Sequence, residues 1–370
     1  MTLKLEDIRW DGLFPQQATD DDLSDFAQLH LGRSILVTGA GGSIGAAVTK
    51  AIHKLAPQTL VLLDSSEQNL YYIHRDLASL SETTAIVPVL GSVADEICVR
   101  DVFEKFQPDL VYHAAALKHV PLGEMNPFAV AQNNIFGTST VATVAREYRT
   151  ARLIMISTDK SVNPLSIMGA SKRLAEIILL GISSAPTRMT SIRLGNVLGS
   201  EGSVVPLFLD QIARGGPVTV SDPDVERYFL TMQETVRRIL SAAARCPEEP
   251  AIAVPVMGKP IKISDLARYL IRQASAEPVQ VTFTGLRPGD KLQEEFIAAN
   301  ESDLGETRDG LQWVQSPELS AHSLAAGLAE LLAAMNERNL EGLLSTMTRL
   351  VPEYRPSAYL REQVLAAGQR

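Results

Sequence analysis

Thr38-Gly39-Ala40-Gly41-Gly42-Ser43-Ile44-Gly45 follows the apolar run 34–39 and opens an amphipathic segment, so a strand passes through a tight glycine turn into a helix. Glycine lets the backbone turn sharply and approach a pyrophosphate, whose charge would face the amides and dipole of the helix N-terminus. Glycines at 39, 42 and 45 carry little alone, because any tight strand-to-helix turn can use them. The weight comes from Asp64, which closes the next apolar run 25 residues past Gly39. An acid there would accept hydrogen bonds from both adenosine ribose hydroxyls and repel a 2′-phosphate. Ser65, Ser66 and Glu67 bring no arginine, so NAD is favoured over NADP. The competing reading is that Asp64 caps the next helix.

Outward from this turn, apolar runs recur at 59–64, 85–90, 110–115, 152–157 and 189–194, with longer amphipathic segments between them. Runs without polar alternation belong to strands covered on both faces, which predicts a parallel sheet between helices: an α/β, doubly wound, Rossmann-type fold. Gly91, Ser92 and Val93 after the third run would lie beside the adenine. Ala114, Ala115 and Ala116 after the fourth would let the chain pass close to the cofactor, although small residues there serve packing equally well. The expected division is an N-terminal arm at 1–32 and a dinucleotide domain at 33–195, with a return segment at about 222–254. A smaller substrate lobe at 196–221 and 255–315 and a helical tail at 316–370 complete it. Gly215-Gly216-Pro217 and Gly285-Leu286-Arg287-Pro288-Gly289 read as loops over a site, 251–256 as a strand crossing back to the sheet, and 318–349 as helix.

With 370 residues, 45% hydrophobic and 21% charged, the chain can fill a large core in two lobes. A net charge of -9 and a pI near 5.3 oppose a nucleic-acid or anionic-membrane surface. Any phosphate must be held by a local nest of amides, Lys and Arg. Cys98 and Cys246 lack metal-ligand spacing or a disulfide pattern, which points to reduced thiols in the cytoplasm and to no metal site. The N-terminus has no apolar h-region, and Glu330 interrupts the apolar stretch near the C-terminus, so direct membrane insertion is not expected.

Ser157-Thr158-Asp159-Lys160 closes the fifth run, at the carboxyl edge where open α/β sheets place ligands. Neighbouring Asp159 and Lys160 beside a nicotinamide offer the proton donor and acceptor that an elimination needs. The alternative is a solvated loop ion pair. Met168 and Lys172 share one face of the helix that starts after Pro164, and Lys172 can reach the nicotinamide ribose. Met168 stands where a Tyr-x-x-x-Lys pair would have its tyrosine. It cannot move a proton, so it either fills core or shapes the substrate pocket.

Six stretches now join: Thr38–Gly45, His113-Ala114-Ala115-Ala116-Leu117-Lys118-His119-Val120-Pro121, Ser157–Pro164, Met168-Gly169-Ala170-Ser171-Lys172, Gly195-Asn196 through Val205-Pro206, and Gly285–Lys291. Together they resemble the UDP-N-acetylglucosamine 4,6-dehydratases of the extended short-chain dehydrogenase/reductase superfamily, in the capsule and O-antigen branch that carries Met in place of the Tyr. The resemblance runs from about Leu3 to the Val351–Pro356 tail. Two departures stand out. The transmembrane front half of many relatives has no counterpart here, so a soluble unit is expected, and Ser92 stands where many relatives have Asp.

The resemblance implies oxidation at sugar C4, loss of water across C5 and C6, and hydride return to C6, with NAD regenerated and C5 configuration retained. Lys160, if neutral, would remove the C5 proton and Asp159, if protonated, would protonate the leaving C6 hydroxyl, while Thr158 would hydrogen-bond the C4 hydroxyl. The acceptor of the C4 proton stays open between Lys160 and a water relay through Thr158 toward Lys172. For the UDP-sugar, Lys118 matches a sugar-site lysine, Asn196 a sugar or phosphate contact, and Gly202, Ser203, Val204 and Val205 the loop that holds UDP. Arg287, Lys291 and, more weakly, Arg227 are pyrophosphate candidates. Asn134 is expected to pin the Thr158 strand. Homo-oligomers are implied, with arm and tail as contacts. The competing functions are a sugar-nucleotide 4-epimerase or reductase, and a catalytically silent NAD-binding scaffold.

Overall fold

All six apolar runs become strands, and the computed structural model, which describes residues 5–10, 12–13, 22–80, 83–274 and 278–367, joins them in one sheet. β1 (Ser34–Thr38), β2 (Thr59–Asp64), β3 (Ala85–Leu90), β4 (Leu110–His113), β5 (Arg152–Thr158) and β6 (Arg188–Leu194) pair in parallel in the order 3-2-1-4-5-6. β1, β2 and β4 are buried almost throughout, as strands covered by helices on both faces must be. β3 departs from that expectation. It is the sheet edge, half exposed, and it carries Pro88, whose missing N–H is best tolerated there.

The chain runs from β1 outward to β3 and then returns to the other side of β1 as β4. A crevice therefore opens at the carboxyl ends of β1 and β4, where the strand order reverses. Register sets Thr38 beside both Leu63 and His113. Helices Glu67–Ala78, Glu96–Phe106, Ile167–Ile182 and Met232–Ala244 begin on the capping side chains of Ser66, Asp95, Ser166 and Thr231. Helices Ser43–His53 and Val204–Ala213 instead start at Gly42 and Ser203 with no side-chain cap, which leaves their first amides for a partner outside the helix.

β7 (Ile252–Pro255) continues the sheet in parallel beside β6, as the return strand expected at 251–256. Beyond it the structure corrects the expected lobe boundary. Residues assigned to the substrate lobe form an antiparallel hairpin, β8 (Ser302–Arg308) and β9 (Leu311–Gln315), with β9 paired to β7. Leu311 and Trp313 are buried in the main core, and Val314 is buried beside it with Ile252 and Val254.

Helix Met232–Ala244 returns to the dinucleotide domain, where Val236, Ile239 and Leu240 share a core with Ile35, Val48 and Ile52. The smaller lobe has its own core, in which Val205 and Phe208 meet Val218, Leu266 and Leu270. Over its described residues the arm lies on the body: Ile8 joins the lobe core, Phe26 the main core, and His30 bonds Tyr112 Oη at 2.6 Å. Residues 1–4, 11 and 14–21 of the arm lie outside the described residues. The expected tail helix is two, Ala321–Asn336 and Leu340–Leu350, divided where Asn339 caps the second, followed by Ala358–Ala367. Leu331, Leu343, Met347 and Leu350 pack on Leu174 and Ile178, so the tail braces the helix that carries Lys172.

Candidate functional site

The cleft at the strand-order reversal has a volume of about 240 Å³ and is lined by Gly39, Gly42, Asp64, Gly91, Ser92, Val93, Ala114 and Ala115, with Asn69 and Asn133 beside them. The glycines differ in what they do. Gly39 has φ +63°, and a Cβ there would lie 2.7 Å from the Ala115 amide, so the turn and the close approach of the two loops both exclude a side chain. A Cβ on Gly45 would come within 1.9 Å of the Gly39 carbonyl oxygen, which keeps helix and strand in contact. At Gly42 a Cβ would meet only the Gly39 oxygen at 3.4 Å, so this glycine faces open cleft.

Asp64 is buried, with Oδ2 accepting from the Gly41 amide and Oδ1 from the Ser66 amide, both at 2.8 Å. Ser66, not Asp64, caps the following helix. Each carboxylate oxygen keeps a lone pair, and both border the cleft, as ribose recognition requires. Ser43 lies next to the cleft rather than in its lining. Its Oγ accepts the Glu201 amide at 3.0 Å, while the Glu201 carbonyl accepts Lys118 Nζ at 2.8 Å. One residue of the 199–203 loop thus links the glycine turn to the Lys118 loop. Ile44 packs against the main core.

Thr158, Asp159 and Lys160 stand at the end of β5, two strands from β1. Asp159 is fully buried, and its Oδ1 accepts the Thr158 hydroxyl and Lys160 Nζ, each at 2.9 Å. Its Oδ2 is buried and makes no hydrogen bond, an arrangement that costs free energy unless a partner arrives. Lys160 also lies 3.4 Å from Asn196 Oδ1 and 3.5 Å from Glu294 Oε1. Burial pulls its ammonium down, but Asp159 and Glu294 outweigh burial and the opposing Arg227, and hold it above the ordinary lysine value. Lys160 is therefore held as an ammonium, whereas a base in an elimination would have to be neutral.

Lys172 is buried one turn beyond Met168, and its ammonium has no hydrogen-bond partner among the described residues. Burial, partly offset by Glu176, lowers its ammonium to about 8. Met168 is buried with its Cβ against Gly123. His113 is locked between Thr38 Oγ1 at 2.7 Å and Thr138 Oγ1 at 3.0 Å. Burial and the Lys172 charge bring it down to about 3, so it is a neutral ring that holds the cleft floor.

Asn134 corrects the expectation that it pins the Thr158 strand. Its amide accepts the Leu117 N–H at 2.8 Å and donates to the Leu117 carbonyl and Ser171 Oγ at 3.0 Å each, so it fastens the Lys118 loop to the Lys172 helix. Arg227 and Lys291 are likewise not free for a pyrophosphate. The Arg227 guanidinium is buried and donates to the carbonyls of Glu226, Lys291 and Leu292, and Lys291 Nζ donates to the Val162 carbonyl. Arg287 is exposed and paired with Asp290 in its own loop at 2.7 Å. Gly202 has φ +65° and packs under His119, and the buried Ser203 Oγ has no partner at the uncapped start of helix Val204–Ala213. Free amides, a helix dipole and a free hydroxyl suit an anion.

Two buried carboxylates beside the Thr158 turn have no signature in the sequence. Glu294 is buried among Lys160, Lys291 and Arg227, at 3.5, 3.5 and 3.7 Å. Glu176 lies beneath the Thr158 turn, with Oε1 accepting the hydroxyls of Ser157 at 2.5 Å and Ser161 at 2.9 Å. Arg193 bonds both Glu176 and Glu301, and Arg173 adds Glu301 and Glu353, which ties the turn to the β8 entry and to the tail. Burial alone would raise Glu176, but the two guanidiniums and Ser157 bring it down to about 2. A spacing of three within one helix, Arg173 to Glu176, was the only local hint.

Among the described residues no group of three or more His, Cys, Asp or Glu converges as a metal site, Cys98 and Cys246 are free thiols, and no helix is long and apolar enough to cross a membrane. A family described as polysaccharide biosynthesis protein matches residues 35–315. The chain is 42% identical over 302 residues to the capsular polysaccharide biosynthesis protein CapD of Staphylococcus aureus, covering 80% of this chain and 50% of the relative. The chain thus spans about half the length of the first curated relatives it matches. It is 31% identical over 283 residues to a Campylobacter jejuni protein named UDP-N-acetylglucosamine 4,6-dehydratase (inverting), covering 74% of this chain and 80% of that one. The crystal structure of Pen from Bacillus thuringiensis superposes with a TM-score of 0.71 at 27% identity, over 78% of this chain and 90% of Pen. With the parallel sheet, the glycine turn and the Thr158-Asp159-Lys160 edge in place, the family match over residues 35–315 establishes that this chain belongs to the polysaccharide biosynthesis protein family.

Proposed function

We propose that this chain dehydrates UDP-N-acetylglucosamine to the 4-keto-6-deoxy sugar nucleotide, with bound NAD, in the synthesis of a surface polysaccharide. The observation that carries the reading is the Asp159 carboxylate, buried with Oδ2 unpartnered and with Lys160 on Oδ1 at 2.9 Å. A simple C4 epimerase or reductase has no use for such an acid and base, and a silent scaffold would gain nothing from burying an unsatisfied oxygen.

The cleft fits NAD: Gly42 leaves room, helix Ser43–His53 starts beside it without a side-chain cap, and Asp64 borders it. When bound, the nicotinamide would supply an acceptor for the hydride of sugar C4 and the same hydride for return to C6. Lys172 places positive charge near the reacting hydroxyl, and Thr158, already donating to Asp159, can pass a proton from that hydroxyl to Asp159. Asp159 then protonates the leaving C6 oxygen and Lys160 works at C5. Lys118, Asn196 and Arg287 would contact the sugar diphosphate and Gly202–Val205 the UDP phosphates, while Met168 shapes the pocket. Retention at C5 follows the Met-type resemblance, against inversion in the name of the Campylobacter jejuni relative. The free thiols suit a cytoplasmic protein, and a homo-oligomer remains part of the proposal.

Proton NMR of the protein with UDP-N-acetylglucosamine in deuterated water tests this. A new C6 methyl signal with loss of H4 is expected, and the C5 configuration of the product distinguishes retention from inversion. A C4 epimer without a methyl signal would give the site to an epimerase, and an unchanged spectrum from NAD-loaded protein would end the dehydratase reading.

A further inference from the structure

Lys160 Nζ has three N–H bonds and three protein acceptors around it: Asp159 Oδ1 at 2.9 Å, Asn196 Oδ1 at 3.4 Å and Glu294 Oε1 at 3.5 Å. An ammonium in that setting has no lone pair. It becomes a base only after one of these three groups takes a proton from it. The Asn196 amide does not accept a proton near neutral pH. The Thr158 hydroxyl donates to the same Oδ1 of Asp159, and on the dehydratase reading Asp159 takes there the proton that the C4 hydroxyl loses. Glu294 remains. It is 5% exposed, its Oε2 makes no hydrogen bond, and Lys160, Lys291 and Arg227 surround it from three separate segments of chain.

We propose, on the basis of the dehydratase reading, that Glu294 is a positioning residue that accepts the Lys160 proton, so that Lys160 serves as base at sugar C5 while Asp159 keeps the proton that leaves with the C6 oxygen. The protons balance. With the 4-ketone formed and its hydroxyl proton on Asp159, an Nζ–H proton moves to Glu294 Oε1. The C5 proton moves to the freed Nζ, the C5–H electron pair becomes the C5–C6 double bond, the C6–O bond breaks, and the Asp159 proton completes the departing water. Once hydride is back on C6 and Lys160 has reprotonated C5, Glu294 returns its proton to Lys160. All three side chains end as they began, and one water has been lost.

Asp159 and Glu294 together outweigh burial and Arg227 at Lys160, so Glu294 is one of the two carboxylates that set the charge of this lysine. Lys160, Lys291 and Arg227 lie 3.5, 3.5 and 3.7 Å from Glu294. Arg227 and Lys291, which sequence alone offers to a pyrophosphate, serve instead to hold this carboxylate in place.

The test is Glu294→Gln, which keeps the shape and removes the charge. In the NAD-loaded protein, brief acetylation followed by peptide mass spectrometry reads the pH profile of Lys160 reactivity without any turnover. Loss of the carboxylate should move that profile to lower pH, and kcat for UDP-N-acetylglucosamine should fall by about 10²-fold with KM changed little, the range of one acid–base group. Glu294→Asp, which keeps the charge but withdraws it by one methylene, should move both quantities part of the way, and it stands in if the Gln protein fails to fold. A Lys160 profile that stays put in either folded variant, or an undiminished kcat, overturns the inference. A parent protein that forms no methyl signal sinks the dehydratase reading instead, so the two failures are told apart.

Discussion

Glu176→Gln removes one buried charge and almost no volume, and the structure sets its cost. Glu176 is fully buried, with two serine hydroxyls on Oε1 and the guanidiniums of Arg193 and Arg173 around it. A carboxyl brought from its ordinary 4.5 to about 2 carries about 3 kcal/mol of stability in its ionised form. Breaking a buried pair by removing one partner costs about 3–5 kcal/mol, which agrees. Urea unfolding at fixed NAD concentration should therefore show the variant less stable by about 3 kcal/mol at pH 7, with an unchanged m-value. The pH dependence follows from the direction of the shift. A depressed carboxyl contributes fully above 4.5 and loses its contribution as pH falls toward 2, so by pH 3 less than half of the gap between parent and variant, about 1.4 kcal/mol, should remain. A gap under about 1 kcal/mol at pH 7, or one that stays level between pH 5 and pH 3, would refute the reading of this network as a stabilising one.

Asp159→Asn should lower turnover by about 10²–10⁴-fold and leave NAD binding intact, measured by steady-state kinetics and cofactor titration; unchanged turnover would remove Asp159 from the chemistry. Gly45→Ala places a methyl group 1.9 Å from the Gly39 oxygen, so the glycine turn must shift. Such overpacking costs about 1–3 kcal/mol, and NAD affinity by calorimetry should weaken by about tenfold or more. Lys172, lowered by burial to about 8, is charged below that pH and neutral above it, so kcat/KM should fall as pH rises through 8. In Lys172→Met that limb of the profile should be gone, with lower activity throughout.

Much of the site was legible because it is local. The glycine turn, Asp64 at the next strand end and the Thr158-Asp159-Lys160 edge are each a few residues long and sit at fixed places relative to strands, so their position follows once the strands are placed. Met168 and Lys172 needed only helical spacing. The partners found for Asn134, Arg227 and Lys291 were not legible for a common reason: a polar side chain's partner is set by what the fold brings against it. Arg227 found three carbonyls, and Lys291 found Val162, 129 positions away in the chain.

By itself the amino-acid sequence determined the parallel sheet, the handover from β1 to the glycine turn and the place of the Thr158-Asp159-Lys160 segment at the strand end, because apolar runs and glycine spacing are periodic signals that act over a few residues. Only the tertiary structure decided that residues 302–315 complete the main sheet, that the tail braces the Lys172 helix, and that Glu176 and Glu294 lie under and beside Asp159 and Lys160. Glu294 and Lys160 are separated by over 100 residues and Arg193 and Glu301 by 108, and no local pattern marks such pairs. Their meeting is fixed by burial. Each charge removed from water had to find its counter-charge among whatever the packed strands and helices brought within reach.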